Sequence, residues 1–292
     1  MKIMPKTLLI LSFFCASGFL QAAIISVPNY SFESPVTQFA GPQIDSWQQI
    51  PEPPDTTSGV FANAPGAGFI DNCDGSQAAF LFANPQIGFF QDNDSIDYTN
   101  ASPTHAFSAK FEIGKSYDLT VALTTSQAFP LNNGATLQLA LYYRDGTSNM
   151  VVVAATNVAY NSSTFSSTHF LDFQAHLPAV NATDAWAGQH IGISILSTVS
   201  ALGQGIWDID NVRLSSSMAP VLLSPGFTTG HFGFTLQSDP GQTFEILASS
   251  DASLPRSAWS NLGNLTNVTG TISFSDPSSI LGQRFYQAHQ LP

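Results

Sequence analysis

The side chains with chemistry to offer are few: six histidines, 20 Asp and Glu, eight Lys and Arg, and two cysteines in 292 residues. His105, His169, His176, His190, His231 and His289 are dispersed, and no His-Glu-x-x-His or Gly-x-Ser-x-Gly spacing ties any of them to a metal or a nucleophile. His169 and His176 stand seven apart, which on a continuous strand puts them on opposite faces. Asp92, Asp94 and Asp97 alternate like the first oxygens of a calcium loop, but the Gly and terminal Glu of an EF-hand are absent, so the run reads as a solvated acidic turn. Glycoside hydrolysis needs only two carboxylates, and these can meet from anywhere in the chain; spacing singles out no such pair, and no catalytic residue is assigned. Aromatic rings are plentiful, with 23 Phe, 7 Tyr and 4 Trp. Most must be buried. Trp47, Phe61 and Trp186 are the candidates for a ligand face, Trp47 and Phe61 because they lie in Pro-, Gly- and Asn-rich surroundings.

Any such residues have to be held by strands. Tyr117, Leu119, Val121 and Leu123 alternate, as do Leu137, Leu139 and Leu141, which run into a hairpin-type turn at Arg144-Asp145-Gly146. Phe107 to Ile113, Met150 to Ala154, Ile191 to Ile195 and Ile206 to Leu214 repeat the pattern. No segment gives three helical turns. Strands at this spacing without intervening helices predict an all-β, antiparallel jelly-roll sandwich. A Ser-rich, Pro-ended joint, Ser215 to Pro220, divides the chain. Beyond it Phe232-Phe234-Leu236, Phe244 to Leu247, Thr271 to Phe274 and Arg284 to Ala288 predict a second, smaller β-sandwich. The expected domains are 24–215 and 219–292.

Composition supports this and limits partners. Only 10% of residues are charged while 43% are hydrophobic, so Ser, Thr, Asn, Gln and Gly must cover the surface, which suits sheets and turns better than helices. Lys2 and Lys6 precede the apolar run Leu8 to Ala16, and Leu20-Gln21-Ala22-Ala23 follows; residues 1–23 read as a secretory signal peptide, which predicts a secreted or cell-surface protein. Without that leader six basic residues face 20 acidic ones, a formal charge of −14. Nucleic acid and membrane insertion are therefore not expected. Cys73 then stands alone, flanked by Asp71 and Asp74, and reads as a structural thiol.

Two ends of the first region carry a family likeness: Val27-Pro28-Asn29-Tyr30-Ser31-Phe32-Glu33-Ser34-Pro35 and Trp207-Asp208-Ile209-Asp210-Asn211-Val212-Arg213-Leu214. With Trp47, Asp74 to Ala78, Gly114 to Leu119 and Trp186 to Ile191 between them, this order resembles the galactose-binding-like jelly rolls of secreted bacterial proteins, including carbohydrate-binding modules. The resemblance implies a structural calcium, with side-chain oxygens from Glu33 and Asp210 and a backbone carbonyl from Ser31. The alternative is that Glu33 caps a turn and Asp210 fixes the bend before the last strand. The C-terminal region, with Asp239 to Ile246, Trp259, Leu262, Phe274-Ser275-Asp276 and Arg284-Phe285-Tyr286, resembles a short module of secreted Verrucomicrobia-type bacterial proteins, immunoglobulin- or fibronectin-like, with Trp259 and Phe285 as core anchors.

These readings lead to a secreted, non-enzymatic protein that binds a polysaccharide or cell-surface glycan. Two alternatives stand beside it: a structural or adhesive surface protein without sugar affinity, and a hydrolase on a jelly-roll scaffold.

Overall fold

In a computed structural model the alternating runs become long strands whose inward side chains meet in one core. The structure describes residues 22–51, 56–66, 68–97, 102–103, 105–228, 231–276 and 284–291, so the leader expected at residues 1–23 lies almost wholly outside it. The chain divides into two units, one of Ile24–Ser216 and one that includes Ser217–Pro292.

The larger unit contains β1 (Ala23–Ile25), β2 (Ala40–Gly41), β3 (Gln48–Ile50), β4 (Ser58–Ala62), β5 (Gln77–Phe82), β6 (Gly88–Gln91), β7 (Ile96–Asp97) and β8 (Ser102–Pro103). It continues with β9 (Lys115–Thr125), β10 (Thr136–Arg144), β11 (Met150–Ala159), β12 (Leu171–Leu177), β13 (Gly192–Ser197) and β14 (Ile206–Met218). One sheet has the order β12-β9-β14-β5-β4-β2, with β1 on β14; the other has the order β11-β10-β13-β6-β3. This is an antiparallel jelly-roll sandwich. Tyr117, Leu119, Val121 and Leu123 of β9 and Leu137, Leu139 and Leu141 of β10 all enter the shared core, as period-2 burial requires.

One expected strand is missing. Phe107 to Ile113 forms only a bridge at Lys110 to His190, although Phe107 and Phe111 are buried. The segment is held instead by irregular bonds: the Phe111 amide donates to Gln189, that of Gly188 to Phe111 and that of Ile191 to Ala109. Strands β4, β5 and β6 are the converse. They are rich in Phe, Ala and Gly instead of β-branched alternation, and their residues are largely buried on both faces.

The smaller unit has β15 (Val221–Thr228), β16 (His231–Gln237), β17 (Thr243–Ser249), β18 (Ser260–Thr266), β19 (Thr271–Ser275) and β20 (Phe285–Gln290) in two three-stranded sheets, β15-β16-β19 and β18-β17-β20. Its core is Leu222, Phe232, Phe234, Leu236, Phe244, Ile246, Ala248 and Tyr286. The anchors are thus not Trp259 and Phe285. Trp259 is half-buried, its indole N–H donating to the Leu254 carbonyl, and alternation on β20 turns Tyr286 inward, stacked on Phe232 with ring centroids 4.6 Å apart.

Candidate active site

Strand parity decides which side chains leave the core. On β14 Trp207 and Ile209 are fully buried in it, so Ile206, Asp208 and Asp210 point to the opposite face of the larger sheet. Register then aligns a row: Asp208 pairs with Phe80 of β5, and Phe80 with Gly59 of β4. One position along, Ile206 pairs with Phe82; on the other side, Phe61 of β4 pairs with Ala78 of β5 and Ala40 of β2. Gly59 is required here. A Cβ on it would lie 2.1 Å from the Gly41 carbonyl oxygen and 2.9 Å from the Phe80 ring.

This face opens into a cavity of about 480 Å³, a size suited to a small organic molecule. Phe61, Phe80 and Phe82 form its floor and wall, with Phe80 and Phe82 edge to face at 6.3 Å. Phe39 and Phe129, both largely exposed, stand among its lining residues. The segment Ser126 to Phe129 is fixed to the start of β14, since the Ser126 amide donates to the Ile206 carbonyl and the Ile206 amide to that of Phe129. Gln38, Thr56, Ser126 and Gln127 supply neutral polar groups.

Among the described residues Asp208 is the one ionisable member of that lining. It is 6% exposed, and no hydrogen-bond or ion-pair partner is found for its carboxyl among the described residues. Burial pushes its pKa well above the usual carboxylate range, which favours the protonated form. A neutral carboxylic acid facing five phenyl rings can donate a proton, and the ring faces can stabilise the cation that results.

The predicted site residues fall in different places. Phe61 is a cavity wall, on a strand and not in a loop. Trp47 is fully buried against Phe32 and Phe89, at 5.6 and 5.5 Å, and has no face left for a ligand. Trp186 packs half-buried on the core. Glu33 and Asp210 come to the same loop, but each grips backbone. Glu33 accepts from the Ser76 and Gln77 amides at 2.9 and 2.8 Å, and Asp210 from the Asp74 and Asn211 amides at 2.6 and 2.7 Å. Burial nevertheless pushes Asp210 up to about 7, against the lowering effect of those amides. Ser31 is buried nearby in sequence, and among the described residues no group of three or more His, Cys, Asp and Glu is gathered as for a metal. Cys73 is half-buried, its thiol donating to the Gln77 carbonyl at 3.0 Å and raised in pKa by burial and by Asp210.

Sequence reasoning missed Asp208, Phe39, Phe80, Phe82 and Phe129. The available signal was parity: an acid between Trp207 and Ile209 must face away from whatever those two bury.

The family model of the HpiC1-like proteins, described as HpiC1 cyclase, matches residues 23–215. A Stig cyclase, Fisc, from Fischerella sp. TAU in complex with (3Z)-3-(1-methyl-2-pyrrolidinylidene)-3H-indole is 21% identical; the match covers 68% of this chain and 99% of that one, with a TM-score of 0.50. A cyclase from the same organism in complex with 4-(1H-indol-3-yl)butan-2-one is 21% identical over the same shares, with a TM-score of 0.51. The CBM22-1 xylan-binding domain from Paenibacillus barcinonensis is 15% identical, with 65% of this chain and 93% of that one covered and a TM-score of 0.36. No curated protein matches the chain. The cyclase match overturns the expectation of a non-catalytic glycan binder, and with it the adhesive and hydrolase alternatives. Carbohydrate-module motifs and the cyclase share a sandwich, and a shared sandwich does not carry a shared ligand. On the match across its whole larger unit, the chain belongs to the HpiC1-like cyclase family.

Proposed function

We propose that the larger unit is an acid-catalysed cyclase acting on a neutral, unsaturated small molecule with an aromatic ring. The observation that carries this reading is the buried carboxyl of Asp208, the one ionisable group among the described lining residues, in a cavity walled by phenylalanines. Protonated Asp208 gives its proton to a carbon–carbon double bond of the substrate. The carbocation formed is attacked by a second π bond of the same molecule, which closes the ring. Loss of a proton, back to the Asp208 carboxylate, yields an isomer of the substrate and regenerates the acid. The faces of Phe61, Phe80 and Phe82 stabilise the cation. The indole ligands of the Fischerella cyclases support an aromatic, apolar substrate in place of the glycan first expected.

The test is conversion of alkenyl indoles to products of unchanged mass, followed by chromatography and NMR. Asp208→Asn should lose about 10²- to 10⁴-fold in turnover, the usual worth of a general acid. Turnover unchanged in Asp208→Asn would sink the proposal.

A structural calcium at Ser31, Glu33 and Asp210 is a separate proposal. A hard cation would relieve a buried carboxylate that sits near a second one on the same loop. The melting temperature should then fall in excess chelator; an unchanged melt rejects the ion. Export through residues 1–23 is likewise proposed, and recovery of the intact leader on the purified protein would count against it.

A further inference from the structure

The cavity's exposed aromatic lip, Phe39, sits on a segment with little structure of its own: between Ser31 and Phe39 there is no strand. Asn29 and Asp45 grip it at Ser34, and one buried side chain makes three further bonds to it. Gln77, the first residue of β5 and 2% exposed, donates its amide N–H groups to the Phe32 and Pro35 carbonyls, both at 3.0 Å, and accepts the Thr37 amide on Oε1 at 2.5 Å. Three backbone groups of one segment are thus satisfied by one buried amide. Beside it, Glu33 holds the Gln77 and Ser76 amides, and Gly75 gives the room: a Cβ there would lie 2.5 Å from Glu33 Oε1. The far end of the segment is tied where the Ala62 amide donates to the Phe39 carbonyl at 2.9 Å; Ala62 is the β4 residue that pairs with Gln77 and also lines the cavity.

We infer that Gln77 is a positioning residue for substrate capture: it holds the 32–39 segment so that Phe39 stands over the cavity. This rests on the reading of that cavity as the catalytic one. Gln77 is not among the residues that line it, so its influence runs through Phe39 and on binding, not on proton transfer.

The test is a double-mutant cycle on the full chain, with indole as the probe and calorimetry as the readout. Phe39→Ala and Gln77→Met should each weaken indole binding about 3- to 10-fold, the scale of one aromatic contact. In the Phe39→Ala background Gln77→Met should add nothing. Gln77→Glu serves if Gln77→Met does not fold, since it keeps the acceptor for the Thr37 amide and loses both donated bonds. A purely structural glutamine would give additive losses or none in binding, and either result overturns the inference. So does a wild-type protein that binds no indole.

Discussion

The carboxyl of Asp208 meets almost no water, so folding depends on its proton, and so does catalysis under the mechanism proposed above. Its folded pKa lies well above the unfolded 3.8, with burial as the cause. A raised folded value favours the folded state fully below the unfolded pKa, and that advantage is lost as pH rises through the folded pKa. The wild type should therefore lose stability toward alkaline pH relative to Asp208→Asn, which cannot ionise. Melting temperatures of the two across pH 5 to about 9 should diverge on the alkaline side. Cyclase rate should fall along the same limb, because the acid needs its proton; a flat profile for both quantities would mean the group is not buried in solution. Residue types alone assigned no catalytic acid and drew attention to two other carboxylates. Glu33 and Asp210 were legible as a pair meeting on one loop, but nothing in the letters says that their oxygens grip amides, whereas Asp208 finds no partner. Trp47 misled for a similar reason: loop context does not reveal that Phe32 and Phe89 close over its ring.

Strand patterns were legible where apolar and polar residues alternate, as in β9 and β10. They were not legible where both faces are covered. Strands β4 and β5 carry the cavity wall on one side and core on the other, so Ser58-Gly59-Val60-Phe61-Ala62 shows no alternation and its Gly reads as loop. Packing explains that glycine. Gly59 lies under the β2 crossing, and a methyl group there would strike the Gly41 carbonyl, the Pro42 Cα at 2.8 Å and the Phe80 ring. The backbone atoms among these cannot swing aside. Gly59→Ala should cost at least about 1–3 kcal/mol, the usual range for overpacking, seen as a lower urea midpoint at unchanged slope. It should also weaken ligand binding, because β2 adjoins Phe39. Gly146, whose added Cβ meets nothing within 4 Å, is the matched control and should be silent in both measurements.

At the scale of the whole molecule two units carry separate cores, and the cyclase family model matches the larger one, over residues 23–215. The smaller unit has no disulfide among the described residues and is close to the lower size limit for an independent core. Its weak point is Asp276, 1% exposed, which accepts the Tyr286 hydroxyl at 2.8 Å and pairs with Arg284 at 2.9 Å. Removing that carboxylate breaks the hydrogen bond from Tyr286 and the ion pair with Arg284 beside an aromatic core, a loss of about 1–3 kcal/mol. Asp276→Asn should therefore melt the smaller unit at a lower temperature in a separate calorimetric transition, and cyclase turnover should persist, since the described residues that line the aromatic cavity all belong to the larger unit. Residues 24–216 produced alone should fold, bind indole and turn over substrate at the full-chain rate. Loss of activity in both Asp276→Asn and the excised unit, with the larger core still folded by near-UV circular dichroism, would show that the smaller unit takes part in the reaction, and the assignment of the chemistry to the Asp208 cavity alone would have to be given up.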